Sequence, residues 1–362
     1  MRWLAIFAVG LLVHLAAGQT APAAIGPITT AVSARDQSGR AVNGLTTADF
    51  EVSEDGVKQQ VTTFASITGG TASPAAGGAD RIFIVLIDDL HLSALDSPRV
   101  RDVLKQIRDR LLRDTDLVVV VSTGYSSIAE NLRYDPGHQR FNEAIRKVMG
   151  SGPGGTASPD DRVRAHVALA TAHELLVKAR PLAARRKAVL YLSNGYDLGP
   201  AVASAYQAEQ ERYVRETSFV NPFGQPATDV SAVDLTADLT EVVRAARRSN
   251  AALYPIDPRG ASAGPDINTR VSRPDWIRQL QLTEAPLQLL ADETGGGCMC
   301  ISNDFRTFLQ RVDDETNDYY VIGYAPINRD PLKVQRRVEM KTNRPGVELT
   351  YRPEYWLPRA AR

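Results

Sequence analysis

Six consecutive residues, Ile82 to Ile87 (IFIVLI), carry no polar side chain, and Asp88 and Asp89 end the run. A stretch of this length, rich in β-branched residues, has no face to offer solvent. It predicts a strand buried on both sides, the kind that builds parallel sheets. Open α/β sheets hold their ligands outside the carboxyl ends of their strands. The two aspartates therefore stand where chemistry is expected, and the rest of the chain reads as the sheet around them.

From Arg81 onward strand and helix patterns alternate. Val100, Val103, Leu104, Ile107, Leu111 and Leu112 recur at helical spacing and predict a helix over 99–113. Strands are expected over 117–121, 188–192, 251–256 and 319–324, with an antiparallel neighbour over 126–132. Further helices are expected over 141–149, 159–179, 201–216, 232–249, 274–294 and 305–316, with a Gly-rich turn and short strand over 294–301. Such alternation implies an α/β fold: a doubly wound, mainly parallel sheet of Rossmann type with helices on both faces. Asp88, Ser193, Asn194 and Asp257 follow successive strands, so crossover topology gathers them at one edge.

The ends of the chain read differently. Residues 1–18 have the charged start (Arg2), apolar middle and small-residue end (Ala16, Ala17, Gly18) of a secretory signal, and the apolar run is shorter than the roughly 20 residues a membrane span needs. The expectation is an exported chain, periplasmic or extracellular, with no transmembrane segment after the signal. Residues 19–68 form a β segment with strands over 28–35, 50–53 and 57–64, where Asp55-Gly56 marks a hairpin. Residues 69–80 are a Gly/Ala/Pro linker, 81–325 the α/β domain, and 326–362 a β hairpin and tail. Each β piece is too small to bury its own core, so the two are expected to pack together or against one flank of the α/β domain.

Composition narrows the partners. Forty-two Lys and Arg balance 42 Asp and Glu, which leaves no net charge to attract nucleic acid. Cys298 and Cys300 are the chain's two cysteines; they can close a tight loop, hold a soft metal or do nothing. His173-Glu174 begins a zinc-protease pattern, but Val177 stands where its second histidine belongs. The chain has no nucleophile elbow, phosphate-binding loop or dinucleotide fingerprint.

Several stretches together resemble a von Willebrand factor A-type domain: RIFIVLIDDLHLS, GPGGTAS, KAVLYLSNG, ALYPIDPRG, ETGG and YYVIGYAP. The flanks LTTADFEVSEDGVKQQVTTF and NRPGVELTYRPEYW are similar to exported von Willebrand factor A-related proteins of the acidobacterial type. The resemblance implies a divalent cation such as Mg²⁺ at the carboxyl edge, held by Asp-x-Ser-x-Ser, a second-loop Thr and a third-loop Asp. Such a site is a hard-cation site that leaves one position for a partner's carboxylate. This chain departs from the pattern. Leu90 and Leu92 take the serine positions counted from Asp88; His91 and Ser93 take them counted from Asp89. Thr156 matches the second-loop Thr, and Asn194 replaces the third-loop Asp, with Asp197 nearby.

The residues expected to hold a cation are thus Asp88, Asp89, Ser93 and Thr156, in a degenerate site. The competing expectation is that the aspartates cap the next helix and bind neighbouring loops. The function that follows is a binding module that engages a protein partner through the carboxyl-edge loops. The alternatives are a metal-independent scaffold, or a metal-assisted hydrolase using Asp88, Asp89, His91 and Asp197.

Overall fold

The computed structural model describes residues 27–69, 71–72, 81–129, 131–152, 159–182, 186–197, 235–260, 272–300, 302–330 and 332–356. The expected signal at 1–18, the helix at 201–216 and Thr156 lie outside them. In chain order the elements are β1 (Ile28–Asp36), β2 (Phe50–Glu54), β3 (Val57–Gln59), β4 (Val61–Thr68), β5 (Thr71–Ala72), β6 (Ile82–Ile87), α1 (Ser97–Arg110), β7 (Leu117–Ser122) and β8 (Arg133–Tyr134). There follow α2 (Gln139–Lys147), α3 (Pro159–Lys178), β9 (Lys187–Leu192), α4 (Leu235–Ser249), β10 (Ala251–Ile256), α5 (Arg273–Thr294) and α6 (Phe305–Asn317). The chain then forms β11 (Tyr319–Tyr324), β12 (Gln335–Thr342), β13 (Val347–Tyr351) and β14 (Glu354–Trp356).

The apolar run is the middle strand of a five-stranded sheet ordered β10-β9-β6-β7-β8. Its pairings are parallel except for β8, the short antiparallel edge. Because side chains alternate across a strand, β6 feeds two cores. Phe83, Val85 and Ile87 pack with Val103, Leu104, Ile107, Phe141, Leu309 and Val312 of α1, α2 and α6. Ile84 and Leu86 pack with Leu169, Leu176, Leu239, Val242, Val243 and Leu290 of α3, α4 and α5. All six residues of β6 are buried, which is why the sequence shows no polar position there. The fold is mixed α/β, with a mainly parallel sheet covered by helices on both faces.

The flanking β pieces are knitted together, not merely adjacent. One antiparallel sheet runs β13-β1-β11-β4-β5 and another β14-β12-β2-β3. Strand β1 lies between β11 and β13, so the start of the described chain pairs with its end. Between the two sheets sit Val32, Phe50, Val52, Tyr320, Ile322, Tyr324, Val338, Met340 and Tyr355. Arg336 is fully buried there against Glu54, which also accepts the Tyr355 hydroxyl at 2.7 Å.

Two expectations need correction. The strand over 57–64 is two strands in different sheets, β3 with β2 and β4 with β11. Strand 319–324, assigned above to the α/β domain, belongs to an antiparallel sheet with β1 and β4. Its alternating Tyr320, Ile322 and Tyr324 fill the third core, and the carboxyl end of β10 is already edged by Met299, bridged to Ile256. The chain thus leaves the α/β layer at the end of α6, before the boundary expected at 325.

Candidate functional site

The sheet delivers Asp88 to its carboxyl edge with no solvent exposure. Its amide donates to the Leu192 carbonyl of β9 at 2.8 Å, which extends the parallel pairing one residue past β6. The chain then turns tightly, with His91 N–H donating to the Asp88 carbonyl at 3.1 Å. The turn swings the imidazole back, so that Nδ1 donates to the two Asp88 oxygens at 2.9 and 2.8 Å. Because a carboxylate only accepts, Nδ1 must carry the hydrogen. Tyr191 Oη and Ser193 Oγ donate to Asp88 Oδ2 at 2.9 and 2.7 Å.

Asp89 turns the other way and ties down neighbouring loops. Its Oδ1 accepts the Thr123 hydroxyl at 2.7 Å, and its Oδ2 accepts the Ser126 amide. Its carbonyl accepts Ser151 N–H at 2.8 Å and Ser151 Oγ at 3.0 Å. Ser126 Oγ in turn exchanges hydrogen bonds with Met149 N–H and carbonyl, both at 3.0 Å. Ser93 is bridged to Gly152, and its Oγ accepts Leu95 N–H at 3.1 Å, capping the short helical turn Ala94–Asp96 before α1. The helical cap is therefore Ser93; both aspartates instead serve to bind loops, the other half of the competing expectation.

The third and fourth strand ends join the same edge. Gly195 has φ +70°, and a Cβ there would lie 1.9 Å from the Thr283 carbonyl, so only glycine lets the loop after β9 pass under α5. Asn194 lies at the edge as expected, but its amide donates to Asp96 at 2.8 Å and makes no bond to Asp88. Buried Asp257, after β10, holds Arg259 at 2.6 Å. The same guanidinium donates to the Asn194 carbonyl at 2.6 Å and to Thr283 Oγ1 at 3.0 Å. The Arg259 carbonyl accepts Arg99 of α1 at 3.0 Å.

The electrostatics follow from this packing. Burial alone would push the Asp88 carboxyl up. His91 beside it, aided by donors from Ser193 and Tyr191, outweighs burial and holds it below its ordinary value. Burial likewise opposes the charge on His91, but Asp88 wins and raises the imidazole above its ordinary value. Burial and the Asp88 charge together push the Tyr191 hydroxyl well up, so it stays a donor. His91 is 8% exposed and stacks at a tilt against buried Tyr196, with ring centroids 5.2 Å apart.

A hard divalent cation needs several anionic oxygens with lone pairs turned toward it. Asp88 spends its lone pairs on an imidazole and the hydroxyls of Tyr191, Ser193 and, at 3.3 Å, Thr123; each Asp89 oxygen takes one donor, and Ser93 Oγ faces a backbone amide. This donor set does not fit a Mg²⁺ centre built on Asp88. Among the described residues no group of three or more His, Cys, Asp or Glu side chains is placed to hold a metal.

The structure thus brings Asp88, Asp89, His91 and Ser93 together, with Asn194 and Asp257 on the same edge. Sequence reasoning missed Thr123, Ser126, Tyr191 and Arg259. Thr123 had a signal, a hydroxyl residue just past the apolar run of β7. Tyr191 had none, since it reads as one more apolar residue of β9. No protein-family model matches this chain, and no curated protein matches it. No helix among the described residues is long and apolar enough to cross a membrane.

Proposed function

We propose that this chain is an exported, von Willebrand A-like binding module that grips a protein partner with the loops at the carboxyl edge of its parallel sheet, without a metal. The observation that carries this is the placement of Leu95, Tyr125 and Met149, which are 69%, 56% and 48% exposed. Large apolar side chains held out in water are informative when they cluster at a ligand edge. All three sit on loops fastened to one another through Asp89, Ser93 and Ser126. Rigid presentation lowers the entropy lost on docking. In this scheme the Asp88–His91 pair takes the place of the cation: it neutralises the buried acid and fixes the first loop.

The hydrolase alternative has less support, because His91 is committed to Asp88 and covered by Tyr196. The test is a pull-down from an envelope fraction by the full mature chain, with and without chelator, beside a Tyr125→Ser/Met149→Ser variant. The expected partner survives chelator and is lost with the variant. A partner lost to chelator and recovered with Mg²⁺ would show a cation-dependent site instead. One insensitive to both treatments would place docking elsewhere.

A further inference from the structure

The proposed docking makes no use of the two cysteines. Cys298 and Cys300 are joined to each other across Met299. Met299 itself continues the parallel sheet. Its N–H donates to the Pro255 carbonyl at 2.8 Å, and its carbonyl accepts Asp257 N–H at 3.1 Å. Its side chain is buried in the core beneath α1 and α6, while the cysteines are half-buried against the opposite core.

We propose that Cys298–Cys300 is a thiol–disulfide exchange site, oxidised here, whose substrate is an external thiol and whose state sets the loop from Asp257 to Gly260. Three observations converge. The ring spans a sequence separation of two, and closing so short a loop removes little freedom from an unfolded chain. The bond is therefore not a framework staple, and opening it does not require unfolding. Both sulfurs lie on half-buried residues, and access is what exchange demands. Finally, the Cα atoms are 5.3 Å apart, whereas alternate residues of an extended strand lie roughly 6.7 Å apart. The ring holds this segment shorter than the strand beside it, and opening lets it lengthen.

The chemistry balances. A donor thiolate attacks one ring sulfur; a new sulfur–sulfur bond forms as the Cys298–Cys300 bond breaks, and the departing sulfur takes a proton. A second donor thiol then displaces the mixed disulfide. Two electrons and two protons pass to the protein, and the donor leaves as its own disulfide. The change reaches the rim through Asp257, whose amide is bonded to Met299 and whose carboxylate positions Arg259 on the Asn194 carbonyl. This site goes beyond the docking proposal, and either stands if the other fails.

The test equilibrates the full chain in mixtures of reduced and oxidised glutathione, traps thiols with a maleimide and counts them by mass. Hydrogen exchange is then compared between the two states, with a Cys298→Ser/Cys300→Ser variant as a permanently open ring. Both thiols are expected to appear in reducing mixtures and to vanish in oxidising ones while far-UV circular dichroism stays unchanged. The Met299 and Asp257 amides are expected to exchange roughly tenfold faster once the ring opens. A ring that resists millimolar reduced glutathione until denaturant is added overturns the proposal. So does an open ring with unchanged exchange at those amides. If the variant fails to fold, reduced wild-type chain carries the same measurement.

Discussion

Replacing His91 with leucine tests whether an imidazole does the work of a cation at this edge. The substitution leaves Asp88, which has no solvent exposure, with only hydroxyl donors, Tyr191 at 2.9 Å, Ser193 at 2.7 Å and Thr123 at 3.3 Å. Breaking a buried ion pair by removing one partner costs about 3–5 kcal/mol. The surviving donors put His91→Leu near the lower end, about 3 kcal/mol. For a chain of this size that lowers Tm by about 4 °C. The pH dependence separates this cause from simple loss of packing. His91 is raised above its ordinary 6.5, so its contribution is complete below that pH and is lost as pH rises through the raised value. Asp88 is held below its ordinary 3.8, so its contribution is present above that pH and is lost as pH falls through the lowered value. The gap between wild type and variant is therefore widest between about pH 4 and 6.5 and narrows on either side. Thermal denaturation across that range reads it directly. A gap that is flat with pH, or that grows toward alkaline pH, would refute the ion-pair reasoning.

Arg336→Met leaves Glu54, 1% exposed, as an uncompensated buried carboxylate, and costs about 3–5 kcal/mol by urea denaturation. Adding Glu54→Gln to that variant is expected to recover part of the loss. Gly296→Ala puts a Cβ 1.8 Å from the Leu253 carbonyl; the forced shift costs about 1–3 kcal/mol, seen as a lower urea midpoint. Arg259→Lys replaces a planar fork that spans Asp257, the Asn194 carbonyl and Thr283 with a single ammonium. It is expected to speed hydrogen exchange in the loop after β9 while leaving β6 protected.

The parallel sheet was legible because burial on both faces leaves a signature any reader can see: IFIVLI, LVVVV, AVLYL and AALYPI have no polar alternation. The convergence of Asp88, Asn194 and Asp257 followed from topology alone. What each acid does there was not legible. His91 reaches Asp88 only because the chain turns back after β6, with the His91 and Leu92 amides both on the Asp88 carbonyl, and nothing in the letters Asp-Asp-Leu-His states that. Arg259 was hidden for a similar reason, since its partners come from three separate segments. The β pieces were recognisable as strands from their alternation. Their pairing was not, because period-two patterning says which face is buried and nothing about which strand lies alongside.

That pairing has a consequence for how the molecule is made. Leu45 near one end donates its amide to the hydroxyl of Tyr320, 275 positions later. Bringing together the ends of a flexible segment that long costs about 5 kcal/mol of loop-closure entropy, a cost that falls once the intervening parallel sheet has formed and shortened the gap. Strand β1 is thus made long before its neighbours β11 and β13. Until β11 and β13 arrive both its edges are bare, and a stall in synthesis before then exposes it to pairing with another chain.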